Sequence, residues 1–171
     1  MNTQTEQHHC RSCGGASMTV FLDLGMTPLA DRLLTEEQLK EPEPYFPLQV
    51  AFCEDCALVQ ILETVDPNVL FCDDYPYYSS FSDALLEHSR ENVEEILRRQ
   101  NLTQDSLVVE LASNDGYLLQ YYQRAGIPVL GIDPAEGPAN KAIEKGIPTE
   151  IDFFSTALAG RLRAAGKAAD V

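Results

Sequence analysis

The chain has 171 residues, of which 44% are hydrophobic and 23% are charged, with 12 Lys and Arg against 27 Asp and Glu. This composition is typical of a globular protein with enough apolar residues for a core, and at this length we expect two small domains. The net charge of −15 argues against a nucleic-acid partner, because phosphate binding needs clustered Lys and Arg. No apolar run predicts a membrane helix, and MNTQTEQHHC lacks the features of a signal peptide, so we expect a cytoplasmic protein with no membrane partner.

Four of the five cysteines form two C-x-x-C pairs, Cys10 with Cys13 and Cys53 with Cys56. Each such turn presents two thiolates to one metal ion, and two turns complete the tetrahedral coordination of zinc. We therefore predict a structural zinc site, closed by four thiolates and without an open position for catalysis. A pair of redox dithiols or unrelated thiols is the alternative, and His8 or His9 could replace one ligand. We expect Cys72 to be a small packing residue.

The first half of the chain is rich in turns. The sequence MTVFLDL after the Gly14-Gly15 pair predicts a strand, and LQVAFC and ALVQIL around the second cysteine pair predict two more. Three prolines in residues 40–47 exclude a regular helix or a central strand in that stretch. With the cysteine pairs, these elements predict a small zinc-ribbon-like domain.

From Ser82 onwards the pattern alternates between helices and strands. Apolar residues at spacings of three and four predict a first helix, capped by Ser82 or Asp83. Strands are predicted at residues 106–112, 128–132 and 147–151, and helices at residues 116–125, 138–145 and 155–165. The final AADV is typical of the start of a fourth strand. This order predicts the α/β class, with the first half of a Rossmann-like parallel sheet.

The first two strands of this sheet end in polar turns. The first runs into SNDG, and the second ends in GIDP, which places Asp133 where a carboxylate can accept hydrogen bonds from ribose hydroxyls. Together they favour an adenosyl ligand, although singly they could be an ordinary turn and a helix cap. Because the first turn lacks G-x-G-x-x-G, a dinucleotide is disfavoured and S-adenosylmethionine, which has no pyrophosphate, is favoured.

Several stretches, in this order, resemble one family: CRSCGG, DLGMTPLADRLL, PLQVAFCEDCALVQI, DYPYYSSFSDALLEH, VVELASNDGYLL and GIDPAEG. They are similar to the zinc-containing, S-adenosylmethionine-dependent sugar C-methyltransferases, which methylate nucleotide-linked keto-deoxysugars. The resemblance covers essentially the whole chain. It implies a zinc-binding domain with a joining segment at residues 1–80 and a partial S-adenosylmethionine-binding Rossmann-like domain at residues 81–171. It also implies zinc and S-adenosylmethionine as cofactors and a nucleotide-linked sugar as substrate.

The resemblance assigns roles to matching positions. The zinc ligands it implies are Cys10, Cys13, Cys53 and Cys56. The cofactor contacts it implies are Glu110, Ala112, Asn114, Gly116 and Leu118 around the first turn, Asp133 and Pro134 at the ribose, and Asp152 and Phe153 beside the adenine. For the last two, a loop acid and a core aromatic are equally good interpretations. The substrate contact it implies is Tyr75, with Tyr78 and Ser79 as weaker candidates, and plain packing of these aromatics is the alternative.

In this family the catalytic His and Tyr follow the fourth strand, and the sequence ends at Val171 where that strand starts. We therefore expect an N-terminal part without the catalytic residues, inactive alone, whose open sheet edge favours self-association. Two rival functions stay open. A non-enzymatic zinc-binding adaptor, or a bare cofactor-binding module, would not transfer methyl groups, and an epimerase or reductase would bind NAD.

Overall fold

A computed structural model describes residues 8–62, 65–71 and 75–171 of the chain. Contacts within the chain divide it into two compact units, Met1–Leu70 and Phe71–Val171. This division lies before the domain boundary predicted between residues 80 and 81, so the joining segment is grouped with the second unit. The packing role predicted for Cys72 concerns a residue outside the described ones.

The first unit contains a three-stranded antiparallel sheet in the order β1-β2-β3. Its strands are β1 (Met18–Thr27), β2 (Phe46–Cys53) and β3 (Val59–Ile61). A one-turn helix, α1 (Pro67–Leu70), follows them. Met18 pairs with Cys53, so the start of β1 lies beside the end of β2. The three strands predicted around the cysteine pairs are therefore present.

The prediction that residues 40–47 contain no part of a central strand is wrong for the last two of these residues. Phe46 and Pro47 open β2, which is the central strand of the sheet, and Pro47 pairs with Met26 of β1. On its other side β2 pairs with β3 only from Val50 to Phe52. Among the described residues, Pro47 therefore has a strand partner on its β1 side alone.

In the second unit, a short 3-10 turn (Ser79–Phe81) precedes the first long helix, α2 (Asp83–Arg99). The predicted cap is present, because the Ser82 hydroxyl accepts a hydrogen bond from the N–H of Leu85 at 3.2 Å. Among the described residues, no helix is both long and apolar enough to cross a membrane.

Three parallel strands in the order β4-β5-β6 form the second sheet. The strands are β4 (Val108–Leu111), β5 (Val129–Ile132) and β6 (Thr149–Glu150), and the helices between and after them are α3 (Leu119–Arg124), α4 (Glu136–Glu144) and α5 (Thr156–Ala164). Each element lies within the span predicted for it, except that α4 starts before Pro138, which is a favoured residue in a first helical turn.

Residues 170 and 171 add to β4 on the side away from β5. The N–H of Val109 donates to the carbonyl of Val171 at 2.9 Å, and the N–H of Asp170 donates to the carbonyl of Leu107 at 2.9 Å. The N–H of Val108 points the other way, to Pro128, at 3.0 Å. The predicted fourth strand therefore starts beside the first. The connection that follows β4 leads to β5 on one side of β4, whereas the connection that follows β6 leads back to the other side of β4. Such a switch point is where open α/β sheets bind ligands.

Apolar side chains cover both faces of this sheet. One cluster joins α2, α3 and α4 to the sheet through Val93, Val108, Leu119, Tyr122, Ile127, Val129, Ala142 and Ile147. The other joins α5 through Leu130, Ile132, Leu158 and Leu162. Helices on both faces of a parallel sheet are the mark of a doubly wound fold. The predicted fold class, a small zinc-binding unit followed by part of a Rossmann-like sheet, is confirmed.

Candidate functional site: a four-cysteine centre and a cavity at the end of the parallel sheet

Two turns of the same form carry the four cysteines. In the first turn the N–H of Gly14 donates to the carbonyl of Cys10 at 2.9 Å, and in the second the N–H of Ala57 donates to the carbonyl of Cys53 at 2.8 Å. The N–H of the first cysteine in each turn also donates to a carbonyl five residues later. Both turns need a left-handed residue, with φ of 73° at Gly14 and 62° at Ala57. The repeated C-x-x-C spacing thus folds twice into one local structure.

The four predicted ligands come together at one point. Their Sγ atoms all lie within 4.8 Å of one another, with 3.6 Å between Cys10 and Cys56 and 3.7 Å between Cys13 and Cys53. Four sulfurs bound to zinc at about 2.3 Å in a tetrahedron are separated by about 3.8 Å. The spacing therefore fits a zinc ion. Within the described residues the group contains only these cysteines, so neither His8 nor His9 replaces one.

The thiols of this centre differ in acidity. The backbone N–H of Cys13 is the main cause that lowers the pKa of Cys10 to about 6. At Cys56 the N–H of Leu58 favours the thiolate, but the neighbouring thiols of Cys10 and Cys13 together outweigh it and raise the pKa to about 12. Because four thiolates at this distance repel one another, a bound cation is what allows all four to be ionised. The centre is thus built for a thiophilic metal ion.

The second unit has a cavity of about 390 Å³ at the carboxyl ends of its strands. Five predicted cofactor residues line it: Ala112, Asn114, Asp133, Pro134 and Phe153. Two predicted substrate residues, Tyr75 and Ser79, line the same cavity. Its volume is within the range of small-molecule sites, about 300–1,000 Å³. Seven of the predicted site residues therefore line one cavity.

Six further residues line the cavity and were not predicted: Phe71, Tyr77, Leu111, Tyr117, Ile132 and Phe154. Tyr77 and Tyr117 belong to stretches that carried the family resemblance, so the predicted site residues beside them in the chain could have identified them. Phe71 belongs to no such motif. Its ring packs edge to face on Tyr75 and Phe153, with centroid distances of 5.4 and 6.4 Å, and aromatic side chains thus line one end of the cavity.

The other predicted site residues lie outside the lining. Leu118 packs against the core cluster shared by α2, α3 and α4. The Asp152 carboxylate accepts a hydrogen bond from Arg161 at 2.8 Å. The ring of Tyr78 packs on Phe81, with a centroid distance of 5.3 Å. The structure thus gives these three side chains local partners.

Gly116 shapes the turn after β4 without lining the cavity. Its φ is 74°, and a Cβ at this position would lie 2.4 Å from Cδ1 of Ile147 and 3.4 Å from Cβ of Ala142. The turn can therefore approach the core this closely only with glycine. Ala112, four residues earlier, also has a left-handed φ, of 57°.

Asp133 joins the ends of the first two parallel strands. Its Oδ2 accepts a hydrogen bond from the N–H of Asn114 at 2.7 Å, and its Oδ1 accepts one from the N–H of Ala135 at 2.8 Å. The residue is 5% exposed and lines the cavity. A carboxylate has about four acceptor positions, so two hydrogen bonds leave capacity for ligand hydroxyls.

Glu110 is a mostly buried acid near the same turn. Its Oε2 is buried and has no hydrogen-bond partner in the described part of the chain. Burial is the main cause that raises the pKa of Glu110 to about 8. The charges on Asp133 and Asp115 also raise this pKa, whereas a hydrogen bond from Tyr117 lowers it. Glu110 therefore keeps its proton up to about that pH, and Asp133 is the one carboxyl side chain in the described lining. The described lining contains no Lys or Arg that would face a phosphate.

Two comparisons with known proteins agree with this geometry. Residues 10–71 match the family model "Methyltransf_13: Putative zinc binding domain", which includes all four cysteines of the centre. The chain is also 37% identical over 140 residues to C-methyltransferase NovU of Streptomyces niveus, and this match covers 82% of the chain and 33% of that protein. The chain thus spans about a third of the length of the curated relative that it matches. Both matches confirm the resemblance inferred from the sequence motifs.

Proposed function

We propose, from the matches to a zinc-binding family model and to a C-methyltransferase, that the chain is part of a zinc-containing sugar C-methyltransferase and that its second unit binds S-adenosylmethionine in the cavity beyond β4 and β5. We propose further that the protein transfers a methyl group to a carbon beside the ketone of a nucleotide-linked deoxysugar. The first unit holds a structural zinc ion.

The observation that carries the cofactor proposal is the charge of the cavity region. Asp133 lines the cavity, and the described lining contains no cationic side chain that would neutralise it. S-adenosylmethionine carries an ammonium and a sulfonium group, which such surroundings favour. A dinucleotide carries a pyrophosphate, which would find neither a lysine nor an arginine among the described lining residues.

The residues present fit this cofactor. We assign the ribose hydroxyls to Asp133, whose two oxygens keep free acceptor capacity. The adenine is assigned to the aromatic end of the cavity, against Phe153. Bound there, S-adenosylmethionine would supply an electrophilic methyl group.

The same cavity supports the substrate assignment to Tyr75 and Ser79, which lie on its wall. We assign proton abstraction to none of the described lining residues. Burial raises the pKa of Tyr117, so its phenolate is a poor candidate for the base. The sugar and the carbon that is methylated are the finer parts of the proposal and rest on the family.

A structural role for zinc agrees with the closed set of four thiolate ligands, which leaves no position for a substrate. Cysteines that bind zinc must stay reduced, and this supports the predicted cytoplasmic location. Zinc removal should therefore act on the fold of the first unit rather than on a chemical step.

The test is calorimetric titration of the zinc-loaded chain with S-adenosylmethionine, with S-adenosylhomocysteine and with NAD, alongside metal analysis. We expect one zinc ion per chain, binding of both sulfur compounds, and no binding of NAD. A zinc-loaded chain that binds none of the three would be an adaptor, and one that binds NAD alone would be an epimerase or reductase. Either result would contradict the proposal.

A further inference from the structure

The stretch of chain just before α2, residues 75–81, forms one wall of the cavity. We call it the tyrosine segment. Tyr75, Tyr77 and Ser79 line the cavity, whereas Ser80 does not. Apart from the short 3-10 turn Ser79–Phe81, the segment has no regular structure of its own. Its position against the cavity therefore depends on contacts with other elements.

Asn114 provides two of these contacts. Its Oδ1 accepts a hydrogen bond from the N–H of Ser79 at 2.8 Å, and its Nδ2 donates to the carbonyl of Tyr77 at 3.0 Å. The N–H of the same residue donates to Asp133 at 2.7 Å. Asn114 is 7% exposed, and it thus links the tyrosine segment to the carboxylate assigned to the ribose.

Asp115 provides the next contacts, although it does not line the cavity. Its Oδ1 accepts a hydrogen bond from the N–H of Ser80 at 3.3 Å, and its Oδ2 accepts one from the Ser80 hydroxyl. Nζ of Lys145, at the end of α4, donates to Oδ2 at 3.0 Å and to the Asp115 carbonyl at 2.9 Å. Asp115 is 1% exposed. A buried carboxylate needs such partners, so the bonds are expected to be maintained in the folded state.

We propose that Asp115 and Ser80 are positioning residues for the cofactor site: through their mutual hydrogen bonds they hold the tyrosine segment against the turn after β4, so that the wall and the turn form a single binding surface. This inference rests on the proposed function. Neither residue lines the cavity, so both act through the segment and the turn that do. A ligand that contacts the turn then stabilises the segment, and by linkage a well-placed segment strengthens ligand binding by the same factor.

The test uses serine substitutions two positions apart. Ser80→Ala removes the hydroxyl bound to Asp115, and Ser82→Ala removes the hydroxyl that caps α2. The control destabilises the start of the same helix without touching the turn, so it separates loss of stability from loss of positioning. Ser80→Thr keeps a hydroxyl and should restore binding. Lys145→Met removes a second partner of Asp115. It replaces Ser80→Ala as the test variant if Ser80→Ala does not fold.

The readouts are the dissociation constant of S-adenosylhomocysteine and the hydrogen exchange of the Ser79 and Ser80 amides, both of which are independent of turnover. We expect Ser80→Ala to weaken binding at least tenfold, Lys145→Met to weaken it about threefold, and Ser82→Ala to change it less than twofold. In the unaltered chain the ligand should slow exchange of both amides, and this slowing should persist in Ser82→Ala but disappear in Ser80→Ala.

The outcomes separate this inference from the proposed function. An unaltered chain that binds S-adenosylhomocysteine, with Ser80→Ala and Lys145→Met binding equally well, would overturn the positioning role alone. Equal weakening in Ser80→Ala and Ser82→Ala would also overturn it, since loss of stability would then explain both. An unaltered, zinc-loaded chain that does not bind the ligand would overturn both proposals.

Discussion

The N–H of Asn114 donates to Oδ2 of Asp133 at 2.7 Å, and this bond joins the turn after β4 to the end of β5. The second oxygen of Asp133 accepts from the N–H of Ala135 at 2.8 Å. One carboxylate therefore fixes the backbone of two neighbouring turns while it faces the cavity. The residue assigned to the ligand is also a structural link between the strands that form the site.

Asp133→Asn should weaken both functions of this carboxylate. The new amide turns one acceptor into a donor that faces a backbone N–H, which should cost about 1–3 kcal/mol of folding free energy. Loss of the charged acceptor for the ribose should raise the dissociation constant of S-adenosylhomocysteine at least tenfold. Titration calorimetry and metal analysis check this, and zinc content should stay the same. The exposed Asp105→Asn is the matched control, and equal binding by both variants would remove the ribose assignment.

Gly116→Ala should destabilise the second unit by about 2 kcal/mol or more, since it adds a left-handed backbone penalty to a steric clash. The clash is with Cδ1 of Ile147, 2.4 Å from the added Cβ. Ile147→Val removes that atom and should recover part of the loss in the double variant. Urea unfolding of the four proteins measures the coupling. Strictly additive effects would show that the turn relaxes away from Ile147.

Ala57→Gly should stabilise the first unit by about 1 kcal/mol, because Ala57 has a left-handed φ of 62°. Gly14→Ala at the equivalent position of the other cysteine turn should cost a similar amount, since Gly14 has a φ of 73° and no atom stands within 4 Å of an added Cβ. Thermal unfolding of the zinc-loaded proteins tests both. A loss of stability in both variants would show that the two turns are not equivalent.

The stability of the second unit should depend on pH through Glu110. Its pKa in the folded chain, about 8, lies above its ordinary value of 4.5. Between these values the folded state keeps a proton that the unfolded state releases, so this contribution weakens as the pH rises, by at most about 1.4 kcal/mol per pH unit. Glu110→Gln should remove it. Urea unfolding at pH 5 to 8 measures the difference between the two proteins, and a difference that is constant with pH would contradict the prediction.

Local patterns were sufficient for most of the secondary structure and for each C-x-x-C turn by itself. The cap at Ser82, the glycines after α3 and α4 and the two C-x-x-C turns depend on neighbours within a few residues. Such interactions are encoded at short range, so they can be predicted without knowledge of the fold. The exclusion of a central strand at Pro47 failed for the opposite reason, since the pairing of Pro47 with Met26 joins residues that are distant in the chain.

The cavity shows both kinds of information. The sequence by itself determined that a polar turn follows β4 and that Asp133 follows β5, because ligand sites in parallel sheets recur at strand ends. Only the tertiary structure decided that Asn114 and Asp115 use their side chains to hold residues 77–80, and that Phe71 packs on Phe153. These pairs are far apart in the chain. They meet because the helices pack on the sheet around a shared apolar core, and no periodicity or spacing in the sequence encodes that meeting.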